Sequence, residues 1–100
     1  MASNEVKRRS YQGHLATAMN KLQTQLREKT LDENKIEALV EKVTAKYQRV
    51  EDITNILQAN MEEGPLEADI AKMDELENQV IEIKTEAKSI LSKLRQPPPI

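Results

Sequence analysis

Eight side chains between Ile36 and Met61 fall alternately four and three positions apart: Ile36, Val40, Val43, Tyr47, Val50, Thr54, Leu57 and Met61. At 3.6 residues per turn this spacing puts all eight on one face of a helix. Sustained over more than three heptads, it is a coiled-coil-like seam rather than a generic amphipathic face. Leu39 and Ile53 widen it on one flank. A seam of this length needs partner helices to cover it, and the rest of the chain supplies two.

The first helix is expected over about residues 4–28, with Leu15, Met19, Leu22 and Leu26 spaced four, three and four apart. Gly13 interrupts it at a cost of about 1 kcal/mol relative to Ala. Upstream of Gly13 only Val6 and Tyr11 are sizeable and apolar, so the first two turns are expected to fray. The second helix spans about residues 31–62. Thr30-Leu31-Asp32-Glu33 offers a capping box with Thr30 as N-cap, and Asp32 as N-cap with Leu31 stapled onto Ile36 is the competing reading. Glu62-Glu63-Gly64-Pro65 ends that helix, with Gly64 suited to the left-handed position after it and Pro65 to the first turn of the next.

The third helix is expected over about residues 65–95, with the stripe Leu66, Ile70, Met73, Leu76, Val80, Ile83, Ala87, Ile90 and Leu94. The two consecutive steps of three at Ile70-Met73-Leu76 break the heptad, so the seam should shift around the helix there. That shift would also turn Glu77 outward. Gln96 precedes a proline and avoids helical angles. Pro97-Pro98-Pro99 reads as a polyproline stub, so residues 97–100 form a proline-rich tail or the start of a linker.

These signals give an all-α fold, an elongated up-down-up three-helix bundle or antiparallel coiled coil forming one domain over residues 1–96. With two tyrosines and no Phe or Trp, its core must be aliphatic. Helix 1 carries six sizeable apolar residues, against ten or more on each of the others. The hairpin of helices 2 and 3 is therefore expected to be the firm part, with Leu15 mattering less than Val43 or Val50. Residues 1–29 carry a net charge of +4, residues 30–63 of −4 and residues 64–100 of −2. A positive helix 1 lying on negative helices 2 and 3 would be steered into place, although exposed pairs contribute little each.

Chemistry is scarce. There is no cysteine, which excludes disulfides, thiolate metal sites and cysteine nucleophiles. His14 is the only histidine, and its neighbours at three and four positions are Ser10, Tyr11, Thr17 and Ala18. None of these binds metal or orients a general base, so His14 reads as a solvated or rim residue. The carboxylates lack the Glu-x-x-His pairs of di-metal bundles and read as solvated faces. No catalytic, cofactor or metal residue is therefore assigned, no small-molecule substrate is implied, and the chain is expected not to be an enzyme.

Two features remain. Lys7-Arg8-Arg9 is a basic cluster offering a contact for nucleic acid, anionic lipid or an acidic partner, with a solvated basic N-terminus the favoured reading. Ile56, Ile81 and Leu91 fall beside the seams. A wide core absorbs them, or they stay open as strips for self-association or a partner helix. No unbroken apolar run exceeds three residues, so neither a transmembrane segment nor a signal peptide is expected, and an intracellular, cytoplasmic location is.

The run Lys7-Arg8-Arg9-Ser10-Tyr11-Gln12-Gly13-His14-Leu15-Ala16-Thr17 is followed by Asn20 and Leu22, a polar linker, and a helix from Ile36-x-x-Leu39-Val40 to Ala45-Lys46-Tyr47-Gln48-Arg49-Val50. With a third charged helix and a proline-rich exit, this resembles the N-terminal helical region of Gag-like polyproteins of BEL/Pao-type retrotransposons. The resemblance spans nearly the whole chain, and Tyr47 stands where an aromatic residue is expected on the second helix. It implies a structural, self-assembling segment with no enzymatic residues to carry over. The competing expectation is a cellular coiled-coil adaptor or trafficking bundle that docks a partner helix.

Overall fold

A computed structural model of the chain describes residues 3–96. Three helices, α1 (Asn4–Leu26), α2 (Glu33–Gln58) and α3 (Glu63–Arg95), form an elongated bundle with extents of 61 × 26 × 17 Å. Arg8 near the start of α1 meets Asp69 near the start of α3, whereas Arg95 at the end of α3 meets Glu33 at the start of α2. The helices thus run up, down and up. The polyproline stub expected at residues 97–99 lies outside the described residues.

Local signals set the boundaries. Ser3 caps α1, its hydroxyl accepting from the Val6 N–H at 3.2 Å. The first two turns are helical, and Arg8 is tied across the bundle, so the expected fraying is not found. Of the two possible caps on α2, Asp32 is the one used: its Oδ1 accepts from the Lys35 N–H at 3.1 Å. Leu31 packs against the core from just outside the helix. The α2 helix ends at Gln58, earlier than expected, because Asn60 N–H and Met61 N–H turn to the carbonyls of Leu57 and Gln58. The reversal is completed there without a left-handed residue. Gly64 therefore sits with negative φ in the first turn of α3 rather than at a C-terminal cap. Pro65 follows it in that turn, where a missing N–H costs nothing.

The core is aliphatic. Leu15, Ala18, Leu22 and Leu26 of α1, Ile36, Val43 and Val50 of α2, and Val80, Ile83, Ala87 and Leu91 of α3 form one buried cluster. The heptad seam of α2 is its spine: Ile36, Val43 and Val50 are fully buried, and Val40 and Tyr47 pack beside them.

Two expectations need correction. The α1 helix is not the weak partner, because it packs more extensively on α2 than α3 does. Leu15 and Leu22 are fully enclosed, and Ala18 between them presents only a methyl group to the interface. Counting large side chains overlooked that Ile70, Ile81 and Leu94 of α3 and Ile56 of α2 point outward. The α3 seam does not shift either. It runs Leu66, Asp69, Met73, Leu76, Val80, Ile83, Ala87, Ile90 in unbroken steps of three and four, with Asp69 buried where Ile70 was expected. Ile70 is 43% exposed. Glu77 faces outward, as expected, but it does so from a continuous seam.

Truncating Leu15 should accordingly cost about 2–5 kcal/mol, as for an enclosed leucine, and Val43→Ala somewhat less. Thermal melts ranking Leu15→Ala below Val43→Ala would contradict this packing. Gly13 lies mid-helix with nothing within 4 Å of where a Cβ would sit. Gly13→Ala should therefore raise stability by about 0.5–1 kcal/mol, read as a higher unfolding midpoint.

Candidate functional site

Charge in this bundle is sorted by face rather than by helix. On the side of α1 and α2 away from α3, two neighbouring cavities of about 570 and 200 Å³ form one shallow groove. The groove is floored by Ala18, Ala38 and Leu39 and rimmed by Lys21, Lys35, Lys42 and Lys46, with His14 at one end. No carboxylate lines either cavity. Heptad spacing explains the alignment: Lys7, His14 and Lys21 share one face of α1, and Lys35, Lys42 and Arg49 share one face of α2. The ion pairs among the described residues involve only Arg8 and Arg95, so these groove cations are held by no carboxylate. The expected pairing of a positive α1 with negative partners is met at Arg8, which binds Asp69 of α3, and not along the groove. Lys21 stands among lysines of α2 instead.

The flank where α3 meets α2 is acidic over its first half. Ile70, Asp74, Glu77 and Ile81 follow one another along α3 as an outward ridge, and beyond Ile81 the same face carries Lys84 and Lys88. Beside it Tyr47, Glu51, Thr54, Asn55 and Met73 complete a cavity of about 240 Å³. The Tyr47 hydroxyl donates to Glu77 Oε2 at 3.3 Å. Its pKa is pushed up to about 12, by burial first and then by the charges of Glu77 and Glu51, so the phenol stays neutral in a field of carboxylates. Within this cavity the buried Thr54 hydroxyl has no hydrogen-bond partner in the protein.

The basic cluster expected at Lys7, Arg8 and Arg9 is split by the fold. Arg8 is half-withdrawn into the bundle, where its two terminal nitrogens donate to Asp69 Oδ1 and Oδ2, each at 2.9 Å. Gln58 donates to the same carboxylate at 2.9 Å. One carboxylate thereby joins all three helices. Only 8% exposed, Asp69 is held well below the usual carboxylate range by the Arg8 hydrogen bonds, against the upward push of burial and with help from Gln58. Lys7 and Arg9 remain exposed. At the far end Arg95 bonds Glu33 and, at 3.0 Å, Glu37, all on the surface.

Of the three apolar positions singled out from sequence, Ile56 and Ile81 are each 51% exposed. They do not form one strip: Ile81 lies on the ridge between α2 and α3, and Ile56 continues the outer face of α2 beyond Arg49. Leu91 was misplaced. It is 6% exposed and belongs to the core cluster, because the end of α3 turns both Ile90 and Leu91 inward. The lysine groove, Ile70 and the buried Asp69 went unrecognised. Only the α2 rim of the groove was legible, in the heptad spacing of Lys35 and Lys42; that Lys21 of α1 would face it was not.

Among the described residues no cluster of three His, Asp or Glu side chains is placed to hold a metal ion, and no helix is long and apolar enough to cross a membrane. Compared with known proteins, the chain matches no family model, no curated protein and no solved structure.

Removing the Asp69 carboxylate should strand Arg8. Asp69→Ala is expected to cost about 2–3 kcal/mol, the low side for breaking a buried pair because Arg8 keeps some access to water. The folded carboxyl titrates below its ordinary 3.8, so its contribution is complete above that pH and is lost as the pH falls through the lower folded value. Acid titration followed by circular dichroism should show a smaller loss below pH 3.8 in Asp69→Asn than in the parent chain.

Proposed function

We propose that this chain is a non-enzymatic association module that assembles with copies of itself through its helical faces. The observation that carries the reading is the outward placement of large aliphatic residues. Val6, Ile56, Ile70, Ile81 and Leu94 are all 41% exposed or more, on a chain whose apolar residues were already needed to fill a slender core. Of these, Ile70 and Ile81 share one ridge beside charged residues, the usual composition of a contact between helices. The lack of chemistry supports the same reading. His14 sits among lysines, and the acidic residues Glu51, Asp74 and Glu77 line a cavity with no nucleophile activated beside them.

The resemblance to the N-terminal helical region of BEL/Pao-type Gag-like polyproteins supports an assembling structural segment as the setting. In the competing setting, a cellular adaptor, the same ridge would take a partner helix. The split of the Lys7-Arg8-Arg9 cluster removes Arg8 from any nucleic-acid contact and weakens that role.

Light scattering coupled to size exclusion should show mass rising with concentration in the micromolar range. Ile81→Glu should shift that rise to higher concentration by roughly tenfold, equivalent to about 1.4 kcal/mol. A chain that stays monomeric at hundreds of micromolar would overturn the proposal.

A further inference from the structure

The two charged faces described above are complementary to one another, and one chain cannot bring them together. Both flank α2, the groove toward α1 and the ridge toward α3, so they look away from each other on a single bundle. We infer that the acidic ridge of α3 in one copy docks into the lysine-rimmed α1–α2 groove of a second copy. This rests on the self-association reading and specifies its geometry.

Three features fit. The first is charge: Asp74 and Glu77 stand on the ridge between Ile70 and Ile81 with Glu51 beside it, Lys84 and Lys88 of the same face lie only beyond Ile81, and Lys21, Lys35, Lys42 and Lys46 rim a groove that no carboxylate lines. The second is apolar content. Ile70 and Ile81 project from the ridge, while Ala38 and Leu39 floor the groove with small or aliphatic side chains and lysine stems form its walls. The third is length. Ile70 to Ile81 is eleven residues, and Lys35 to Lys46 is also eleven, each about 16 Å at the helical rise.

A contact joining two different faces is heterologous. Each added copy leaves a free ridge at one end and a free groove at the other, so the product grows into a ring or a filament rather than stopping at a symmetric dimer. A nucleic-acid strand is the other polyanion such a groove could take. It is disfavoured because His14, at one end, is the one ring lining the groove that could stack on a base and the same bundle offers a complementary ridge.

Two variants test the inference. Lys42→Glu with Lys46→Glu closes the groove by charge, and Ile70→Gln with Ile81→Gln removes the ridge anchors without adding charge. All four positions lie outside the core cluster, and circular dichroism checks that each variant remains helical. Sedimentation velocity should show the parent chain growing beyond a dimer, with assembly weakened about tenfold or more between 0.1 and 1 M salt. Each variant alone should be monomeric. Their equimolar mixture should give a dimer that does not grow, because it holds one working groove and one working ridge.

If the parent assembles but the mixture stays monomeric, or if the groove variant assembles as well as the parent, the inferred geometry is wrong while self-association stands. If the parent is itself monomeric at every concentration, the underlying reading fails with it. Retention of a fluorescein-labelled single-stranded RNA 20-mer by a monomeric parent, lost in the groove variant, would reassign the groove to nucleic acid.

Discussion

Asp69 occupies a position that the heptad of α3 reserves for an apolar side chain, and Arg8 makes that placement tolerable. A buried carboxylate without a partner would cost several kcal/mol. Here two donors from one guanidinium and one from Gln58 satisfy both oxygens. The bidentate geometry is directional, so it fixes how far α1 slides along α3 and which way α3 is rotated. Asp69 is turned inward and its neighbour Ile70, 43% exposed, stands on the ridge. Such pairs contribute little net stability compared with apolar substitutes, and their effect here lies in the register they impose.

The remaining architecture follows from α2. Its seam is buried against both neighbours, and the close packing of α1 through Leu15, Ala18 and Leu22 leaves the outer flanks of α1 and α2 side by side. Residues on those flanks repeat every seven positions, so lysines from two helices converge without contact to any acid. The bundle has a net charge of only −2, yet it carries a lysine-rimmed groove on one side and the acidic stretch of Glu51, Asp74 and Glu77 on another. Segment-by-segment charge summed along the chain hides this, because α2 contributes to both faces.

Much of the fold was legible in the residues. Three stripes, the Asp32 alternative for the α2 cap, Pro65 in the first turn of α3 and the extended Gln96 before a proline all follow from local geometry. The failures share a cause, which is that local patterns do not record cross-chain partners. Ile70 looked like the seam residue because nothing near it in sequence announces that Arg8, sixty-one positions away, will neutralise Asp69. Leu91 looked spare because Ile90 already filled the pattern. The α1 helix looked thin because the count of large residues gave no weight to Ala18, whose size permits the approach. Of the candidate site, Ile81 was recognised from its position beside the seam, whereas the groove required knowing which two helices lie adjacent.

An odd number of helices has a mechanical consequence. Ser3 and Gln96 lie at opposite ends of a rod about 61 Å long. A pull applied between them runs parallel to the helix axes and must slide α1, α2 and α3 past one another. Interlocked side chains along the seams then resist together rather than opening one after another. The Arg8–Asp69 pair near one end and the Arg95 pairs with Glu33 and Glu37 at the other act as latches against that sliding. A two-helix or four-helix version of the same module would put both chain ends on one side and would peel apart under the same load.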